Sequence, residues 1–506
     1  MPSLRPLYWS AVLAVALAAG CDGSKSGSSG ATVVTDSAAP TATTPTSTAR
    51  RAGDWTRFGY DAARTNDAPR GISVAKVAKL SEKRVQIAGT VDSSPIYFSR
   101  VHAKGRTREL LVMTTTYGKT LGVDASSGAT LWTFTPSAYS RVAGSAQITT
   151  ATPVADPGGR YVFAASPDGL IHKLRVSNGS QVRSGHWPVS ITRNSSHEKI
   201  ASSLNLSGRY VLVTMGGYVG DAPPYQGKVV ALDRSSGRIV HVFNSLCANR
   251  RAIINPATCS AQESAIWGRA GAVVDPVTHR VYATSSNGPF DGVTNWADSV
   301  LELSPGVGRF LRHWTPTTQK QLEANDTDLG STSPALLPNP NGGRSAAFLL
   351  QGGKDGLLHL LSLKRSLFGV TGSAGPHEGG QVQDVSAPGH AQVLTAPAVM
   401  HRKGLTETFV ATSGGTGAYK LVGGKLQLAW QNGNAGTSPV LAGGLLWVYD
   451  PDGGLNVYQP SSGRLIRHLS APSGHWNSPI VAGGRVYLPS GNANDHDTSG
   501  VLSIYH

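Results

Sequence analysis

Charge and sulfur are scarce in this chain. Of 506 residues, 15% are charged, three are cysteine and four are methionine. No second cysteine pair and no close histidine cluster accompanies Cys247 and Cys259, which argues against a structural zinc site. Long apolar runs are also missing. The stretch 7–17 has eleven residues, too few to span a bilayer. No extended amphipathic helical periodicity is visible, and the apolar runs are short and punctuated by glycine. A Gly-x-Ser-x-Gly elbow, a His-Glu-x-x-His motif and a P-loop are all absent, so hydrolase and nucleotide-binding readings carry little weight. The formal net charge is +15, yet the cations are scattered. They form no basic helix or aromatic-interleaved stripe of the kind that binds nucleic acid. The charge suits either an anionic surface, such as lipid headgroups or cell-wall polymer, or an ordinary solvated basic face.

What the chain does contain begins with an export signal over residues 1–21. Arg5 precedes the apolar stretch, and Ala18-Ala19-Gly20-Cys21 follows it. These four residues resemble a bacterial lipoprotein cleavage box, which would make Cys21 the lipid-bearing first residue of an envelope-anchored protein. Ordinary secretion is the alternative. Residues 22–54 are rich in Ser, Thr, Ala and Pro, lack bulky apolar side chains over most of their length and are expected to stay disordered as a tether. In an exported chain, Cys247 and Cys259 read as a disulfide.

The folded part, residues 55–506, is repetitive. A Ser/Thr/Ala-Pro pair ahead of a short apolar run recurs at Pro95, Pro153, Pro334, Pro397, Pro439 and Pro479. Weaker copies place Leu204 and Ala272 in the proline position. The spacings are 58, 51, 68, 62, 63, 42 and 40 residues, a range that begins at the length of a propeller blade and leaves room for inserted loops. Each unit continues with a second apolar strand, a glycine-rich loop, a third strand, a turn and a fourth strand. In the clearest copies the turn is Ser-Ser-Gly. Gly128, Gly237 and Gly463 supply the positive φ this turn needs. The eighth unit stops after three strands at His506. The stretch 79–89, KLSEKRVQIAG, resembles the outer strands and can complete that blade. The expected fold is therefore all-β: an eight-bladed propeller of four-stranded antiparallel blades, its ring closed by an N-terminal strand.

The motif Gly122-Val123-Asp124-x-x-x-Gly128-x-x-x-Trp132 resembles the repeat of quinoprotein-type, PQQ-like eight-bladed propellers. Ala231-x-Asp233-x-x-x-Gly237 keeps most of it, and the opening segment 53–69 is similar to theirs. That family includes dehydrogenases that bind pyrroloquinoline quinone (PQQ) with calcium, and outer-membrane assembly lipoproteins that bind no cofactor. By resemblance to the dehydrogenases, Trp267 would stack on the quinone, Asn287 would ligate calcium, Asp326 or Asp328 would be the catalytic carboxylate, and Lys354 would contact the quinone oxygens. Two departures oppose this reading. Tyr218 stands where the family keeps a calcium-binding glutamate, with Asp221 three residues on, and the vicinal cysteine pair that packs on the quinone is missing. Each candidate also suits a structural part: Trp267 as packing, Asn287 in an Asx turn, the aspartates in a surface loop, and Lys354 in a hairpin. A further oxygen-rich stretch, Asp495-His496-Asp497, suits either calcium or a polar loop, and His475 and Trp476 are expected at the same channel end. The main expectation is a monomeric, lipid-anchored platform that binds a protein or small molecule at the channel mouth and no nucleic acid. The alternative is a PQQ- and calcium-dependent alcohol or sugar dehydrogenase.

Overall fold

A computed structural model describes residues 51–218, 220, 222–369 and 377–506. Cys21, the leader and nearly all of the tether lie outside the described residues, as does Asp221. Among the described residues the strands form eight sheets, antiparallel apart from the short parallel pairing of Asp67–Ala68 with Val440–Ala442. The innermost strands start at Ile96, Val154, Asn205, Val273, Ala335, Ala398, Val440 and Ile480. Every one begins immediately after a position read from the sequence as a blade start. A proline there costs no ladder hydrogen bond, because the strand has not yet begun to pair.

The hydroxyls before these prolines bind blade to blade. Ser94 Oγ lies 3.0 Å from Ser478 Oγ, joining blades 1 and 8. Thr150 Oγ1 donates to Ala201 O at 2.7 Å, joining blades 2 and 3. Thr332 Oγ1 donates to Thr395 O at 2.9 Å and Thr437 Oγ1 to Asn477 O at 2.6 Å, joining blades 5 to 6 and 7 to 8. Between blades 4 and 5 the backbones themselves meet: a Cβ on Gly268 would lie 2.5 Å from Ser333 N. Farther out, the tryptophan of one blade covers the turn of the next. Trp187 lies on Gly237 and Trp430 on Gly463, each turn glycine having positive φ. Trp430 Nε1 also donates to Pro460 O at 2.6 Å.

The ring closes as expected. Strand Glu82–Ile87 pairs antiparallel with Gly500–Tyr505, with Val85 opposite Leu502. The segment before it is a strap across the channel end where the innermost strands finish. Asp54, placed by the sequence reading at the end of the tether, is buried and accepts from Ser99 N at 2.7 Å. Trp55 then bridges to Tyr97 in blade 1. Carbonyls of Thr56, Ala62, Thr65 and Asn66 accept from Ala155, Val274, Val399 and Leu441, in blades 2, 4, 6 and 7. Arg64, 3% exposed, plugs the axis and donates to Phe58 O, Ser203 O and Leu204 O. The chain is thus laced across the ring before it closes the last blade. Cys247 and Cys259 are disulfide-bonded, as the sequence suggests. No helix among the described residues is long and apolar enough to cross a membrane.

In blade 5, His359 is clamped between two carboxylates. Nε2 lies 2.9 Å from Asp355 Oδ2 and Nδ1 lies 2.7 Å from Asp384 Oδ1, while the ring packs on Trp314. Burial disfavours the imidazolium, but the two carboxylates outweigh it and raise the pKa to about 9.

Two outcomes follow from this architecture. Deleting residues 1–90 removes both strap and closing strand and leaves the edge of Gly500–Tyr505 unpaired, so the truncated chain should aggregate on size exclusion. The His359 clamp stabilises fully below the unfolded histidine pKa, about 6.5, and is lost as pH rises through about 9. Melting temperatures taken across that window should fall more steeply for the parent than for His359→Gln.

Candidate functional site

The loops leading into the innermost strands form the other end of the channel. Asp92 lies three residues before Pro95, Arg269 three before Ala272 and Trp476 three before Pro479. The same offset in three blades sets these side chains at one level around the axis. Trp267 and Lys199 share a second offset, five residues before Ala272 and Leu204.

These residues meet as one cluster. Trp476 stacks on Trp267 with centroids 5.6 Å apart and planes 27° apart. His475 stacks on Trp476 at 4.1 Å, and the Arg269 guanidinium stands 4.9 Å from the Trp476 ring centroid. Asp92, fully buried, holds the layer together. It accepts from Arg269 Nη2 at 2.6 Å, His475 Nδ1 at 2.7 Å, Trp476 N at 3.1 Å and Ala493 N at 3.1 Å. Burial works against the Asp92 carboxylate, yet Arg269, His475 and Ala493 hold its pKa well below the usual range. Lys199, 7% exposed, sits nearby without a carboxylate in hydrogen-bond contact among the described residues. Burial and then the Arg269 charge push its pKa down to about 8.

The four residues picked out by resemblance also converge. Lys354 Nζ lies 2.5 Å from Asp328 Oδ2, 3.4 Å from Asp326 Oδ1 and 5.9 Å from the Trp267 ring centroid. Asn287 N donates to Asp328 Oδ1 at 3.2 Å, and Asn287 Nδ2 donates to Asp326 Oδ1 at 3.3 Å. Loop geometry brings this about: Lys354 N donates to Asp328 O at 2.9 Å, seating the Lys-Asp-Gly hairpin on the aspartate loop. Burial lowers the Lys354 pKa, but Asp328 and Asp326 outweigh it and raise it. Asp298, buried beside them, accepts from Leu329 N at 3.1 Å, and burial lifts its carboxyl well above the usual range.

The remaining sequence candidates lie apart from this contact set. The Tyr218 hydroxyl donates to Ser195 O at 3.0 Å, and burial pushes its ionisation up. Asp495 sits in a short turn, and His496 O accepts from Tyr117 at 3.2 Å. Among the described residues no group of three or more His, Cys, Asp or Glu is placed to hold a metal ion. Asp92, Arg269 and Lys199 were not singled out from the sequence. Their shared offsets from the blade starts were the available signal.

The ammonium of Lys354 already lies against both aspartates, so it neutralises the carboxylates a divalent cation would need. Removing it should strand Asp328 in a buried place. Lys354→Met is expected to destabilise the fold by about 2–3 kcal/mol in denaturant titration. Adding Asp328→Asn should return a large part of that loss.

The family model described as "Outer membrane protein assembly factor BamB" matches residues 88–243, which is the stretch of blades 1 to 3. No curated protein matches the chain. The fold is similar to that of quinohemoprotein alcohol dehydrogenase from Comamonas testosteroni: TM-score 0.65, 14% identity, 90% of this chain and 81% of that one. It is also similar to a quinohemoprotein alcohol dehydrogenase of Pseudomonas putida HK5, with TM-score 0.64 and 14% identity over 90% of this chain and 80% of that one. A europium-containing methanol dehydrogenase aligns with TM-score 0.62 and 14% identity over 90% of this chain and 98% of that one. The resemblance to PQQ-like propellers therefore holds, and at this identity it is a likeness of fold.

Proposed function

We propose that this PQQ-like propeller is a binding platform, lipid-anchored outside the cytoplasm through Cys21, that takes a protein or small-molecule ligand at its channel mouth. The carrying observation is the stacked Trp267–Trp476 pair, both partly exposed, at the end of the channel opposite the strap. Paired aromatics flanked by committed charges suit recognition, since rigid rings bury area at little entropic cost. The sequence Ala18-Ala19-Gly20-Cys21 supports the anchor.

A PQQ–calcium dehydrogenase is the second reading, favoured by the convergence of Trp267, Asn287, Asp326 and Lys354. The residues present do not fit that cofactor set. A planar ring held between two others needs about 7 Å, twice the contact distance of about 3.5 Å; Trp476 lies on Trp267 at 5.6 Å. Calcium binds through oxygen, carboxylates above all, and here Lys354 pairs with both Asp328 and Asp326. Tyr218 offers a neutral, half-buried phenol where the resemblance puts a calcium-binding glutamate.

Calorimetry of the full chain with PQQ and calcium should show no tight binding, and dye-linked alcohol oxidation should show no turnover. Micromolar or tighter PQQ binding, with turnover abolished by Asp326→Ala, would make the protein an enzyme and overturn the platform reading.

A further inference from the structure

On the strap side of the ring, away from the mouth, a groove of about 590 Å³ lies between blades 4, 5 and 6. Hairpin and turn residues of the three blades line it. Phe348 and Val382 form apolar parts of its wall, and five cations line it: Arg280, Arg312, Lys364, Arg365 and Lys425.

The cations have too few carboxylates. Glu302, fully buried beneath the groove, serves two guanidiniums at once. It accepts from Arg280 Nη1 at 2.5 Å and from Arg312 Nε, and also from the Tyr282 hydroxyl at 3.2 Å. Arg312 Nη1 additionally donates to Leu363 O at 2.6 Å, which fixes the blade 5 turn carrying Lys364 and Arg365. Asp275 lines the groove, but its oxygens are committed to backbone. Oδ1 accepts from Val277 N at 2.9 Å and Thr278 N at 2.7 Å, and Oδ2 accepts from Ala346 N at 2.9 Å. Lys364, Arg365 and Lys425 are exposed and make no ion pair among the described residues. Five cations thus face two carboxylates, one shared and one occupied.

A surplus of this kind gathered in a concave site, with two guanidiniums held by a buried anchor, is suited to a multiply charged anion. Guanidinium forks match the oxygens of a phosphate group, and lysines add point charge around them. The volume falls in the range of small-molecule sites. We propose that this groove binds a cluster of phosphate groups, carried either on a soluble phosphate ester or polyphosphate or on lipid headgroups at a membrane surface.

The test uses the full chain and two probes. Tripolyphosphate is titrated by calorimetry at low and at physiological ionic strength. Vesicles of phosphatidylglycerol in phosphatidylcholine are tested by co-sedimentation. The groove variant is Lys364→Glu, Arg365→Glu and Lys425→Glu together. The control variant, Lys79→Glu, Lys104→Glu and Arg106→Glu, changes net charge equally at exposed positions elsewhere. Melting curves of all three proteins should coincide, because every substituted side chain is exposed. Binding in at least one arm is expected, weakened about tenfold or more in the groove variant and about twofold or less in the control. The arm that responds identifies the source of the phosphate. Binding in neither arm, or equal loss in both variants, would overturn the proposal. If the groove triple shifts the melting curve, Lys364→Gln with Lys425→Gln provides a milder comparison, and undiminished binding in that pair would also overturn it.

Discussion

Each blade of this ring is tied to its neighbours at the point where its innermost strand begins. Hydroxyls of Ser94, Thr150, Thr332 and Thr437 cross the blade junctions there, and glycine lets the backbones meet between blades 4 and 5. Each hydrogen bond is worth about 1 kcal/mol, but together they set every blade at one height about the axis. Two things depend on that alignment. The strap can lace blades 2, 4, 6 and 7 with single carbonyls, because the donating backbone groups lie at one level. The loops just ahead of the blade starts also project their side chains into a common layer, and this layer is the channel mouth.

The mouth is polar and aromatic, and Asp92, Asp326 and Asp328 are each paired with a cation among its own residues. Asp92, at the entry to blade 1, takes one donor from blade 4 and three from blade 8, the last in the loop after that blade's second strand. Lys354 bridges the aspartate loop to the blade 5 hairpin. Charges arranged this way need no outside counter-ion, and the indoles of Trp267 and Trp476 supply one another's contact surface. A fold shared at 14% identity with alcohol dehydrogenases thus carries a mouth in which Trp476 covers Trp267 and Lys354 is paired with Asp326 and Asp328. Site chemistry, not scaffold, is what separates such functions.

The fold was largely legible in the sequence because its signals are local and repeated. The proline at a blade start, the glycine at a Ser-Ser-Gly turn and the tryptophan four residues beyond it act within a few residues of their own strand. Even Leu204 and Ala272, with no proline, held the phase, and Val85 found its partner Leu502 across almost the whole chain. The site was less legible because it is made between blades. Trp267, Asn287, Asp326 and Lys354 could be located one by one, but their contacts could not. That Lys354 would lie against Asp328 rather than point at a ligand depends on how two loops dock. The stacking of Trp476 on Trp267 joins blade 8 to blade 4, and nothing in either local segment announces the other. The groove between blades 4 and 6 was equally hidden, since Arg280, Arg312 and Lys425 are scattered along the chain and gather only in the ring.

The central claim is that the aromatic and ion pairs of the mouth form among its own side chains, so that the paired indoles and not a cofactor are what a ligand meets. A crystal of the full-length protein soaked in PQQ and calcium tests it most directly. The account predicts that Trp476 remains stacked on Trp267, that Lys354 remains against Asp328, and that neither the quinone nor the ion is found there. A quinone on Trp267 with Trp476 displaced, and calcium against Asn287 and Asp326 with Lys354 swung away, would contradict it.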